Sequence, residues 1–135
     1  MRLIGVVIAI AAALAAAVFA FAGSSGAAGG RSAFALVDPN GGSPRLVAGH
    51  TSGFAAISSP FPGDYCLTPA SGVDVVDTAA VASQEAFYSN VVGDVTVRYD
   101  PTHMNCSPAQ LEVKTFVSTP EVGLSDEISF TINVP

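Results

Sequence analysis

Two histidines, two cysteines and eleven carboxylates carry most of the reactive chemistry open to this 135-residue chain. His103 lies in Asp100-Pro101-Thr102-His103-Met104-Asn105-Cys106, with Asp, His and Cys at every third position. These are metal donors by type, but a structural site uses four of them. An oxidised Cys106 would leave one His and one Asp, so the segment reads as a solvated turn and no metal is expected. His50 lies in Gly49-His50-Thr51-Ser52-Gly53. A nucleophile elbow needs Ser in the middle of five residues, between a strand and a helix. Here Ser52 stands fourth and no helix follows. Triads are defined by geometry in space rather than by order in sequence. A hydrolytic site built on His50 or His103 with nearby carboxylates therefore stays open as an alternative. Asp38, Asp64, Asp74, Asp77, Asp94, Asp100, Asp126 and Glu127 fall mostly at turns or strand ends, without the spaced loop that holds calcium. No phosphate-cradling glycine loop and no CxxC is present, and no cofactor is expected.

The compartment follows from Leu3 to Ala22, a run of twenty residues without a charge, with Arg2 ahead of it. Such a run is long enough to span a bilayer as a helix. A charged start, an apolar stretch and the small-residue ending Ala20-Phe21-Ala22 also make up a secretory signal. Residues 1–22 are thus a signal peptide or an uncleaved anchor. In either case the rest of the chain is delivered outside, because Arg2 stays on the cytoplasmic side. Residues 23–32, rich in Gly, Ser and Ala, read as a flexible linker. Residues 33–135 are left as one domain of ordinary size.

In an exported chain an even cysteine count reads as a disulfide framework, and Cys66 and Cys106 allow one pairing. Closing a forty-residue loop stabilises by about 4 kcal/mol in the chain-entropy model. The bridge is expected to join two strand ends, across a sandwich or along an edge. The formal charge is −6, which disfavours nucleic acid and anionic lipid as partners. Membrane contact is expected only through residues 3–22.

The elements that would position these groups are strands. Val95, Val97 and Tyr99 alternate with Thr96, Arg98 and Asp100. Leu111, Val113, Thr115 and Val117 alternate with Glu112, Lys114, Phe116 and Ser118. Ile128, Phe130, Ile132 and Val134 alternate with Ser129, Thr131 and Asn133. Period-two alternation marks half-buried strands. Upstream, Ala33 to Val37 is an apolar run stopped by Asp38-Pro39-Asn40-Gly41-Gly42, and Arg45 to Ala48 can return as the second arm of a hairpin. Gly53 to Ser58, Tyr65 to Thr68 and Val73 to Val76 are shorter signals, with Pro60-Phe61-Pro62-Gly63 expected to end the first of them. Thr78 to Tyr88 suits a helix capped by Asp77 or a strand, and its place between strands favours the strand. Short strands separated by turn clusters indicate a sandwich or barrel. The expected core contains Phe34, Leu36, Phe54, Ile57, Val95, Val97, Leu111, Val113, Ile128, Phe130 and Ile132. Phe54, Phe61, Tyr65, Phe87 and Tyr88 include candidates for a sugar-stacking platform, although aromatics more commonly fill cores.

Three stretches carry a resemblance: Gly63-Asp64-Tyr65-Cys66-Leu67, Cys106 to Phe116, and Leu124 to Pro135. Over roughly Phe34 to Pro135 the chain resembles a loose group of short secreted bacterial proteins with one cysteine pair and no assigned function. The resemblance implies Cys66–Cys106 pairing and a β fold, and it brings no catalytic residue or ligand. An immunoglobulin domain proper fits less well, since the chain has no Trp and Tyr65 directly precedes Cys66. The expected architecture is an all-β antiparallel sandwich of seven or eight strands, immunoglobulin-like in outline. The expected role is a non-catalytic secreted or cell-surface module, structural or binding an extracellular or envelope partner.

Overall fold

The computed structural model describes residues 31–39, 43–76, 78–89, 91–98, 105–117 and 123–135. The leader 1–22 and most of the linker lie outside the described residues. Among the described residues no helix is long and apolar enough to cross a membrane.

Nine strands are described: β1 (Ala33–Asp38), β2 (Arg45–Ser52), β3 (Phe54–Phe61), β4 (Asp64–Pro69), β5 (Val81–Gln84), β6 (Gly93–Arg98), β7 (Leu111–Val117), β8 (Gly123–Leu124) and β9 (Phe130–Val134). They form two antiparallel sheets, one ordered β2-β1-β9-β5 and the other β3-β4-β7-β6 with β8 also on β7. The expected sandwich is therefore present, with more strands than the seven or eight read from the sequence. The two-residue β8 is too short to show a period. It pairs with Phe116 and Val117, just past the end of the β4–β7 ladder at Lys114.

β2 and β3 are nearly continuous, and the chain changes sheets between them at Gly53, where φ is +78° and a Cβ would lie 2.5 Å from that of Ala33. Only glycine adopts that conformation at no steric cost. The expectation that Pro60 ends the preceding strand is corrected, because β3 runs on to Phe61. Pro60 is tolerated there because β3 is an edge strand with a bulge between Ser58 and Phe61. Val73 to Val76 forms no strand. Asp74 Oδ1 accepts a hydrogen bond from the Val76 amide at 2.8 Å, and its carbonyl accepts one from Thr78 Oγ1. A short polar side chain has here captured the backbone in a turn. Thr78 to Tyr88 contains β5 and a turn rather than a helix.

Both sheets contribute to the core. Ala33, Ala35 and Val37 of β1 and Phe130, Ile132 and Val134 of β9 meet Tyr65 and Leu67 of β4 and Leu111 and Val113 of β7. The rings of Tyr65 and Phe130 bridge the two layers with centroids 5.3 Å apart. Phe54, Leu111, Val113, Ile128, Phe130 and Ile132 are buried as expected, while Ile57, Val95 and Val97 pack partly buried against the core. Phe34 is corrected: it is 46% exposed. In β1 the core phase belongs to the smaller residues at 33, 35 and 37, and Phe34 and Leu36 point the other way. Leu36 is buried, but on that outward face.

Candidate functional site

The outward face of the β4–β7 pair is covered. Cys66 is bonded to Cys106, and Cys66 alternates with the core residues Tyr65 and Leu67. The bridge therefore neither crosses the sandwich nor joins strands along an edge, as expected from the sequence. Instead it fastens the segment leading into β7 onto the outside of β4. Asn105 Nδ2 donates to Asp64 Oδ2 at 2.7 Å, and Gln110 Nε2 donates to Thr68 Oγ1 at 2.8 Å. Gln110 Oε1 also accepts from the Ser107 amide, which shapes the turn.

Beneath this cover Asp64 and Glu112 are almost fully buried. Lys114 Nζ lies 3.6 Å from Asp64 Oδ2 and 3.5 Å from Glu112 Oε1. The cross-strand register explains the grouping, since Asp64 faces Lys114 and Cys66 faces Glu112. Asp64, Cys106 and Glu112 place ligand-type atoms within 4.8 Å of one another. A disulfide sulfur is not a thiolate ligand, however, and an ammonium already sits between the two carboxylates. The chemistry of this cluster is ion pairing. Asp38 is likewise buried and receives both Nε and Nη2 of Arg45 on its Oδ2, at 3.0 and 2.6 Å. Neither Asp38 nor Asp64 is the surface turn residue that its place at a strand end suggests.

A third polar feature is the Tyr65 phenol. Burial pushes its pKa up to about 12, and the charges of Asp126 and Asp64 add to the rise, while Thr115 and the Gly63 backbone pull against it. Its hydroxyl makes no hydrogen bond of good geometry. Tyr65 also lines a small pit of about 130 Å³ walled by prolines and Phe61, large enough for a few waters but not for a larger ligand.

The outward face of the other sheet is open. A groove of about 480 Å³ lies there, lined by Phe34, Leu36, His50, Glu85, Phe87, Tyr88, Thr131 and Asn133 among others. Phe34, from β1, faces Asn133 of β9 in register. One wall is the turn after β5, where Phe87 is 85% exposed and stands edge-on to Tyr88 with centroids 5.2 Å apart. This turn is fastened from several sides. Glu85 Oε2 accepts the Tyr88 amide at 2.8 Å, and the Glu85 amide donates to the Ser129 carbonyl at 2.8 Å. The Ser129 hydroxyl donates to the Tyr88 carbonyl, and Ser89 Oγ accepts the Ser129 amide. Gln84 pins the following segment by donating to the Val91 carbonyl and accepting the Gly93 amide. The aromatic wall is thus presented by a turn tied to the buried Ser129.

A second depression of about 380 Å³ continues past Phe34, walled by Ser32, Ala79, Val81, Asn133 and Pro135. Phe34 and Asn133 border both hollows.

Of the candidate residues read from the sequence, His50 stands exposed on β2 rather than in a loop, at the rim of this groove. Among the described residues no hydrogen bond or ion pair joins it to Asp or Ser. His103, Asp77 and Asp100 lie outside the described residues. Of the five aromatics considered for a platform, Phe54 and Tyr65 belong to the core, Phe61 is exposed at the end of β3, and Phe87 and Tyr88 form the groove wall. Phe34, the missing member, was concealed in an apolar run whose phase the sequence does not fix. The chain matches no protein-family model, no curated protein and no solved structure.

Proposed function

We propose that this chain is an exported, non-catalytic binding module that engages an extracellular or envelope partner through the outward face of the β2-β1-β9-β5 sheet. The observation that carries the reading is Phe34 and Phe87, two large exposed apolar side chains framing one groove on a rigid sheet. An exposed aromatic patch rimmed by polar groups is a usual mark of an interaction surface. The disulfide is consistent with an oxidising compartment, and the apolar run 3–22 supplies the route to it. A hydrolase built on His50 is the poorer reading. General base catalysis needs a hydrogen-bonded partner set, and His50 meets neither carboxylate nor hydroxyl among the described residues.

The test is attachment of the purified protein to intact cells and envelope fragments. Phe34→Ala and Phe87→Ala are expected to reduce attachment, and Phe61→Ala, an exposed aromatic elsewhere, to leave it intact. Equal attachment by all three variants would remove the proposal. A hydrolase panel run on wild type and His50→Ala addresses the alternative, and activity lost with His50 would establish it.

A further inference from the structure

We infer that the ligand of this face is an uncharged polysaccharide chain lying across both hollows with Phe34 at their junction, an inference that rests on the binding-module reading above. Four features point to it. Phe34, Phe87 and Tyr88 wall the first hollow and Phe34 also borders the second, and aromatic rings suit the C–H faces of sugar rings. The groove also carries a hydroxyl and an amide, Thr131 and Asn133, with Thr131 Oγ1 hydrogen-bonded to Ser83 Oγ at 3.0 Å beside it. A lipid acyl chain would desolvate the Asn133 amide and offer it no partner, whereas sugar hydroxyls can both donate to and accept from it.

Charge gives the third argument. Among the described residues no Lys or Arg lines either hollow, and the ionisable residues of the groove are Glu85, His50 and Tyr88. With a chain charge of −6, uronate, sulfated or phosphorylated polymers meet no complementary charge here. The fourth is extent. Two adjacent hollows have Phe34 and Asn133 as common walls, an extent that fits several linked sugars rather than one. A preformed sheet carrying a fastened turn suits a ligand that supplies little binding energy per ring.

The experiment is isothermal titration and amide NMR shift mapping with tetra- to hexasaccharides of β-1,4-glucose, β-1,4-N-acetylglucosamine and α-mannose, each beside its monosaccharide. At least one oligomer is expected to bind at least about tenfold tighter than its monosaccharide, with shifts at Phe34, Thr131 and Asn133. Phe34→Ala and Phe87→Ala should each weaken it by about tenfold, and Asn133→Ala is a smaller truncation expected to weaken it less. Phe61→Ala should match wild type. Because Phe34 and Phe87 are exposed, their variants should fold, which circular dichroism checks directly. If no neutral oligomer binds, or if a uronate polymer of equal length binds tighter, the polysaccharide inference falls. If Phe34→Ala and Phe87→Ala still impair envelope attachment in that case, the binding face stands and its partner is of another class, such as a protein. If they do not, both readings fall together.

Discussion

On one outward face of this sandwich Asp64, Cys66 and Glu112 lie beneath a crosslinked segment, and on the other Phe34 and Phe87 stand in solvent. The placement reverses the usual order, with charged groups sealed in and aromatic rings left out. The covered face concentrates interactions that hold the fold: a disulfide, a Lys between two carboxylates, and Asn105 and Gln110 reaching down from the cover. The open face adds less to folding, through Leu36 and the turn tied to Ser129, since the core of its sheet is made by the opposite phase of β1 and β9. This division teaches where to look for function. Large apolar side chains that the core does not use are better candidates for recognition than buried charges already held in ion pairs.

Breaking the covered face should produce the largest effects. Replacing both Cys66 and Cys106 by Ala should cost about 4 kcal/mol from the forty-residue separation. In a domain of this size that lowers Tm by roughly 15–30 °C, measurable by calorimetry. Next comes Asp64→Ala, which leaves Lys114 and Asn105 without their shared acceptor. Truncating one member of a buried pair costs about 3 kcal/mol, read as a shift in urea midpoint at constant slope. If either change were nearly neutral, the cover would be ornamental and the contrast between the faces would collapse.

The Tyr65 phenol sharpens the comparison from the core side. Its folded pKa of about 12 lies above the ordinary value near 10, so the folded state favours the protonated form. Its contribution is therefore complete below pH 10 and is lost as pH rises toward 12. Denaturant curves should show wild type losing up to about 2 kcal/mol across that window. Tyr65→Phe should lose less over the same window and be close to wild type at neutral pH, because the hydroxyl has no good hydrogen bond to forfeit. The smallest effect belongs to the open face. Phe87→Ser should change stability by no more than about 0.5 kcal/mol. Phe34→Ser, at a half-buried ring, should cost about 1 kcal/mol, a fall in Tm of a few degrees at most. Both should impair envelope attachment. A large destabilisation would show that these rings serve the fold instead.

Much of the fold was legible in the sequence because β6, β7 and β9 alternate cleanly and their turns are marked by Pro, Gly and Asp. The phase of β1 was not legible. Ala33-Phe34-Ala35-Leu36-Val37 is apolar on both faces, and size alone assigned Phe34 to the core. Packing against Phe130 and Ile132 selected the smaller residues instead. The covered face was half legible. The pairing of Cys66 with Cys106 was legible, but the alternation of Cys66 with Tyr65 and Leu67 left its side of the sheet undecided, because nothing in the sequence put those two residues in the core. Glu112 and Lys114 read as an outward strand face, and their burial depends on a loop that returns over them. Of the open face, Phe87 and Tyr88 were named as platform candidates. Their union with Phe34 and Asn133 required the β1–β9 register and the anchoring of the turn to Ser129, neither of which local pattern encodes.

The most direct test of the open face as the binding face is hydroxyl-radical footprinting of the purified protein, free and bound to envelope fragments. The account predicts that Phe34, Phe87 and Tyr88 lose reactivity on binding while Phe61 keeps it. Protection confined to Phe61, or unchanged reactivity at Phe34 and Phe87 in a bound sample, would contradict it.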